Sequence, residues 1–304
     1  MDYLCGIYVH TRGNLKQMNK FIKLDESISE SSLEARVKDY FRKYSSPVAE
    51  DEVAICMPSH GLRQSNTISI FDKFKHVYLF VMPDEVTAYQ VAFPWATVVG
   101  RKSTCVGACR NEIIEYVRGH DYKFFMICDD DMKFREYYYP VNEPPKTRNV
   151  VDSQAVHDYI LKNVSVLDSL KADLMYFESG GFTDTKMQAR LKLQFGGVGF
   201  QAWMFRTKLF DNEQLRYTPD PGMPEDDCFN ELVKYFKVNY IKAMDIYNGD
   251  GRMTVKEMEA GNTSTTVDYT THADLWARTK SYRESLKHIS QKEALLSYGY
   301  PNLK

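Results

Sequence analysis

Three consecutive aspartates, Asp129, Asp130 and Asp131, follow the apolar run YKFFMIC at residues 122–128. In an extended strand, side chains i and i+2 share a face. Asp129 and Asp131 are therefore expected to converge, while Asp130 points away or starts a loop. Two carboxylates about 5 Å apart repel by roughly 3 kcal/mol at an effective dielectric of about 20. A divalent cation turns that cost into attraction, and hard oxygen ligands with few others nearby suit Mg2+ or Mn2+. The bland alternative is a solvated loop of acids capping a helix. A second acidic triplet, Glu225, Asp226 and Asp227, follows Pro224. Pro followed by acids is how many helices begin, so this triplet has a structural reading beside any chemical one.

Those carboxylates need a scaffold. VAICMP (53–58), HVYLFVM (76–82), ATVVG (96–100) and YKFFMIC (122–128) read as short apolar strands. Between them lie a polar loop with a weak helix (TISIFDKF), a helix started by proline (PDEVTAYQVAF) and a helix over 105–120 with apolar spacing and a glycine near its end. Apolar strands alternating with helices predict an α/β fold: a mostly parallel sheet covered on both faces. Ligands of such sheets bind at the carboxyl ends of the strands, which is where the three aspartates emerge. Further along, FREYYYPVNEPPKT reads as an aromatic, proline-rich loop and 153–172 as a long amphipathic helix. DLMYFES reads as a strand, 182–210 as a strand–turn–strand unit, 224–241 as a helix leading to a short strand, and the end of the chain as one or two basic helices. Residues 1–50 are expected to form a small N-terminal accessory element, and 51–304 a single catalytic domain with a C-terminal helical extension.

The bulk numbers agree with that picture. The chain has 304 residues, 43% of them hydrophobic and 26% charged, enough for a sizeable core. A formal net charge of -2 excludes a polycation that grips nucleic acid indiscriminately. The six cysteines are scattered without a CxxC spacing, which predicts free thiols in a reducing cytoplasm. No apolar run approaches the ~20 residues that span a bilayer, and MDYLCGIYVHTRG lacks a charged leader. A cytoplasmic protein without a membrane partner is expected.

An apolar strand ending in DDD, in the fourth position of an alternating α/β half, resembles the DxD motif of GT-A-fold nucleotide-sugar glycosyltransferases. CMPSHGLRQSNT resembles that family's first strand and nucleotide loop, LFVMPDEVTAY its second strand, and CRNEII the Arg–Asn helix start that precedes the DxD strand. The whole run is most similar to the phage TET-associated glycosyltransferases, which are expected to modify hydroxymethylated or oxidised pyrimidines in phage DNA. The resemblance implies a metal ion, Mn2+ or Mg2+, held by Asp131 with Asp129, and it makes His272 a candidate third ligand. It implies a nucleotide-sugar donor, a UDP-sugar before others, contacted by Ser59, His60, Arg63 and Gln64 in the loop after the first strand. Asp84 or Glu85 would meet the base, Arg110 the diphosphate, Asp129 and Asp130 the donor near the metal, and the backbone of Gly196 and Gly197 the sugar. For an inverting transferase it implies that Asp226, with Glu225 or Asp227 next in line, takes the proton from the acceptor hydroxyl. Each of these residues also has an ordinary place: a polar loop, a helix start, a β-bulge, a core histidine. Trp203 reads more readily as core than as a sugar platform, and Tyr137, Tyr138 and Tyr139 as either a lid or a stacking surface.

For the acceptor, residues 274–292 carry Arg278, Lys280, Arg283, Lys287 and Lys292 against Asp274 and Glu284, and Lys186, Arg190 and Lys192 form a second basic group. Two basic groups beside an acidic cleft suit DNA, with the target base flipped out; a solvated helix face is the alternative. A glycan or protein acceptor remains open, as does a nucleotide- or glycan-binding module without catalysis. A nucleotidyltransferase ranks lower because PSHGLRQ has only one Gly and one Arg.

Overall fold

The computed structural model describes residues 47–62, 65–138, 146–169, 171–177, 193–195, 202–220, 222–236, 238, 240–243, 252–257 and 272–286. Its centre is an eight-stranded sheet built from β1 (Val53–Pro58), β2 (Val77–Val81), β3 (Thr97–Gly100), β4 (Phe124–Cys128), β7 (Leu174–Phe177), β8 (Leu193–Phe195), β9 (Ala202–Arg206) and β10 (Tyr240–Ala243). Their spatial order is β3-β2-β1-β4-β9-β7-β10-β8. Six strands run one way; β9, between β4 and β7, and β8, at the edge, run the other. The mostly parallel α/β sheet expected from the sequence is present.

The strands are apolar on both sides because both sides are covered. Val53, Ile55 and Met57 of β1, with Phe124, Met126 and Cys128 of β4, belong to one core layer. Ala54 and Cys56, with Phe125 and Ile127, belong to the other. The first layer packs under α2 (Val86–Ala92) and α4 (Ser153–Ser169), which add Tyr89, Val156, Tyr159, Ile160 and Val164. The second packs under α3 (Val106–Arg118) and α5 (Glu225–Tyr235), which add Ile113, Ile114, Val117, Phe229, Leu232 and Val233. Phe229 also stacks on Tyr217 with ring centroids 4.2 Å apart. A short α1 (Ser65–Ser69) follows the loop after β1, and α6 (His272–Ser285) lies against α5.

Two expectations are corrected. The stretch read as an aromatic loop after the aspartates contains strands: β5 (Met132–Tyr138) and β6 (Lys146–Asn149) pair antiparallel, and β11 (Arg252–Glu257) completes a three-stranded sheet on the other edge of β5. Met132 and Phe134 alternate into the core, which supplies the reason. The unit read as strand–turn–strand over 182–210 is not a hairpin either. Its two described strands do not pair: β9 lies between β4 and β7, and β8 pairs with β10. β9 is drawn into the interior because Trp203 and Phe205 belong to the α3/α5 layer and Ala202 and Met204 to the other.

Among the described residues no helix is long and apolar enough to cross a membrane. Five of the cysteines are described; all are free, and all but Cys105 are buried.

Candidate active site

β4 ends at Cys128, and Asp129–Asp131 occupy the turn into β5. The expectation that Asp129 and Asp131 share a face of a strand is corrected to that extent: the strand stops one residue earlier. The pleat still governs the first two aspartates. Cys128 faces the α2/α4 layer, so the next side chain is directed to the α3/α5 side and the one after it back again.

On the α3/α5 side, Asp129 meets Arg110. The guanidinium of Arg110 is 2% exposed, and its Nη2 donates to Asp129 Oδ1 at 2.8 Å. Nη1 donates to Asp226 Oδ1 and, at 3.3 Å, to Glu225 Oε1. The ring of Tyr217 lies beneath the guanidinium, 5.2 Å from its carbon to the centroid. Burial opposes the charge of Arg110, but Asp226, Asp129 and Glu225 outweigh it and hold the group protonated. Asp226 is pushed up to about 8: burial is the largest cause, Arg110 opposes it, and the charges of Glu225 and Asp129 add to it. A carboxyl group tuned close to neutrality is suited to general-base chemistry. Asp227 is also raised by burial, but its charged neighbours are Lys234 and Glu231, so it stands apart from the Arg110 cluster.

The frame of this cluster follows from the sequence around it. All three acids lie in the first turn of α5, where the helix dipole favours negative charge. The segment before α5 is fastened to α3 by Asn111, whose side chain donates to Tyr217 O and accepts from Tyr217 N–H, both at 2.8 Å. Gly107 permits the approach: a Cβ there would meet Thr218 O at 2.1 Å. α6 braces the same region, since Arg278 donates to Gly222 O and Arg283 to Glu231 Oε1 at 3.1 Å.

On the α2 side, Asp130 Oδ2 accepts from Ser59 Oγ at 2.5 Å. Ser59 is buried and also bonds Tyr89 OH at 2.6 Å, and Leu62 N–H donates to Tyr89 OH at 3.1 Å. A hydroxyl has one proton, so the chain has one direction: Leu62 N–H to Tyr89, Tyr89 to Ser59, Ser59 to Asp130. Burial raises the Tyr89 phenol and keeps it a donor. The loop turns sharply here, with Gly61 at φ 71° and Leu62 at φ 51°. Glu85 ties it to α2, accepting from Gly61 N–H at 2.5 Å and Met82 N–H at 3.3 Å.

The rim offers carboxylate oxygens that could hold part of a metal's shell. The three aspartates are hard oxygen donors, each partly exposed. Among the described residues no group of three or more His, Cys, Asp or Glu is arranged to hold an ion by itself. Mg2+ and Mn2+ sites commonly take one or two carboxylates and complete their shell with phosphate oxygens and water.

The model of one protein family, TET-Associated Glycosyltransferase, matches residues 53–210, more than half of the chain. The chain belongs to this family. The match spans β1 to β9 and includes the loop of Ser59, Arg110 and the three aspartates. The glycosyltransferase is similar in fold to S. aureus TarS 1–349 in complex with UDP-GlcNAc, at 11% identity over 81% of this chain and 70% of that chain, with a TM-score of 0.48. It is similar also to a cytidylyltransferase from Leptospira borgpetersenii, at 8% identity over 63% and 75% of the two chains, with a TM-score of 0.37. No curated protein matches.

Several expected site residues of the glycosyltransferase have partners within the protein. Arg110, expected at the diphosphate, is buried among carboxylates, because three acids converge on it. Ser59, expected at the donor, donates to Asp130. Glu85, expected at the base, is occupied by backbone N–H groups, while Asp84 and His60 are exposed at the rim. Trp203 is core, edge-on to Phe229 at 5.5 Å. The basic face of α6 is largely spent within the protein: Arg278 pairs with Asp274 at 2.9 Å and Arg283 with Glu231. Lys280 is exposed beside Trp276, itself 68% exposed. Arg63, Gln64, Tyr139, Lys186, Arg190, Lys192, Gly196, Gly197, Lys287, Lys292 and the element at 1–46 lie outside the described residues, as do the side chains of Tyr137, Tyr138 and His272. Tyr89, Tyr217 and Asn111 carry the site's framework yet announce nothing by spacing; only the Arg–Asn pair at 110–111 marked that place.

Proposed function

We propose that this glycosyltransferase moves a sugar from a nucleotide-diphosphate-sugar, a UDP-sugar before others, to the hydroxymethyl group of a modified pyrimidine in phage DNA. The observation that carries the reading is the convergence of the aspartate turn and the first turn of α5 on one buried arginine. In this reading Asp129 is the donor-side carboxylate and Asp226 the base-side one. Asp226 takes the proton of the acceptor hydroxyl as its oxygen attacks the sugar carbon, and the nucleoside diphosphate leaves. Asp131 and Asp129 would hold Mn2+ or Mg2+; when bound, the ion neutralises charge on the leaving diphosphate. Asp130, fixed by Ser59, keeps the turn in place.

The DNA acceptor is supported by the family to which the chain belongs. A flipped pyrimidine presents its hydroxymethyl group as a primary alcohol. The internal pairing of Arg278 and Arg283 weakens the case for α6 as a broad phosphate grip, and a glycan acceptor is the second reading. The test is incubation with Mn2+ and a panel of UDP-, GDP- and CMP-sugars, with hydroxymethylcytosine DNA, with a glycan acceptor, or with neither. DNA-dependent release of a nucleotide, with a mass increase of one sugar on the base, is expected. Release that occurs with glycans and never with the DNA would replace the acceptor.

A further inference from the structure

We propose that Arg110 is a positioning residue that couples the donor end of the site to its proton-accepting end, and not a contact to the donor's phosphates. The inference rests on the reading of Asp226 as the base. Arg110 reaches from α3 and binds carboxylates on two separate segments: Asp129 in the turn after β4, and Asp226 with Glu225 at the start of α5. One positive charge therefore faces three carboxyl groups in a buried place, so withdrawing it toward a phosphate would leave acids uncompensated. The side chain has no room for such a move. It is 2% exposed, lies over the Tyr217 ring, and is carried by a helix fastened through Asn111 and Gly107 to the segment before α5.

The shape of the group fits the task. A guanidinium is a planar fork that can hold two carboxylates in fixed relative positions, whereas an ammonium is a point charge that cannot set their geometry. The distance between the proton acceptor and the sugar carbon depends on where α5 begins relative to the aspartate turn. Arg110 fixes that distance. Its loss should therefore lower the rate of the chemical step and leave donor binding nearly as it was.

The experiment compares Arg110→Lys and Arg110→Met with wild type and Asp226→Asn. It measures kcat and KM for whichever UDP-sugar of the panel supports transfer, the affinity for UDP with Mn2+ by calorimetry, and the unfolding midpoint. For Arg110→Lys, kcat is expected to fall ~100-fold, as a misplacement of about 1 Å does, while UDP affinity and donor KM stay within ~3-fold. Arg110→Met should lose more than Arg110→Lys; if it does not fold, Arg110→Lys alone decides. UDP affinity or donor KM worsened tenfold or more, with kcat intact, would make Arg110 a phosphate contact and overturn the proposal. Wild-type kcat in Arg110→Lys, with Asp226→Asn inactive, would overturn the coupling alone. Wild-type transfer by Asp226→Asn, or no transfer from any donor of the panel, would overturn the functional reading and the coupling with it.

Discussion

Asp129 and Asp130 are neighbours in the chain, yet they are held from opposite faces of the sheet by different chemistry. Asp130 sits at the end of a relay of neutral groups, Leu62 N–H, Tyr89 and Ser59, each with its proton assigned. Asp129 sits in an ionic cluster with Arg110, Glu225 and Asp226. The relay orients a carboxylate through hydroxyl hydrogen bonds. The cluster orients carboxylates and also tunes how readily one of them holds a proton. Strand pleating assigns each aspartate to its face, so one tripeptide can serve two structural circuits. The difference teaches that the relay side should respond to mutation in stability, and the ionic side in rate and pH dependence.

The largest effect is expected on the ionic side. Asp226→Asn should reduce kcat by about 10³-fold, within the usual range for a lost general base, with the circular dichroism spectrum unchanged. Asp227→Asn, outside the Arg110 cluster, should change kcat by less than about threefold; an equal loss in both would erase the distinction within the triplet.

The next effect is in pH. With Asp226 pushed up to about 8, kcat/KM should fall tenfold per pH unit below that value. Stability runs the other way. A carboxyl whose folded pKa is raised keeps a proton that the unfolded chain has already released, so the native state binds more protons between the ordinary value of 3.8 and about 8. Stability should therefore decline as pH rises through that window, with the full cost present above it. Asp226→Asn should flatten this slope in denaturant titrations, and Ser59→Ala should leave it in place.

Smaller effects are structural. Gly107→Ala drives a methyl group into Thr218 O, a backbone atom that cannot swing away. About 2–3 kcal/mol of destabilisation is expected, at the upper end for overpacking, together with a loss of kcat as the segment before α5 shifts. Ser59→Ala leaves Asp130 and Tyr89 without their shared partner and should cost about 1–2 kcal/mol, read from the unfolding midpoint. Tyr89→Phe, which removes a single hydroxyl, should cost about 1 kcal/mol. A Ser59→Ala variant that lost rate as heavily as Asp226→Asn would break the contrast between the two sides.

Much of this was legible in the sequence. The four apolar runs at 53–58, 76–82, 96–100 and 122–128 became β1 to β4 because a sheet buried on both faces leaves an unbroken apolar signature. The two acidic triplets were visible because charge beside a buried strand or at a helix start is conspicuous. What stayed hidden depends on partners far along the chain. β5 is a strand because β11 pairs with it some 115 residues later in the register Arg252 to Tyr137, and the run of tyrosines at its end masked the alternation of Met132 and Phe134. Arg110 reads from the sequence as a diphosphate contact near a helix start; only the arrival of α5 makes it a buried hub. Helix spacing shows which residues share a face, not what will cover that face.

The insertion of β9 beside β4 also has a consequence for assembly. The strand that delivers the aspartates finds β1 on one side early in the chain, but its other side stays open until residues 202–206 have been made. A nascent polypeptide shorter than this would display a bare, apolar central edge, the kind of surface that recruits other chains. Maturation of the glycosyltransferase is thus bound to the order in which it leaves the ribosome, and fragments ending before Ala202 are expected in the insoluble fraction.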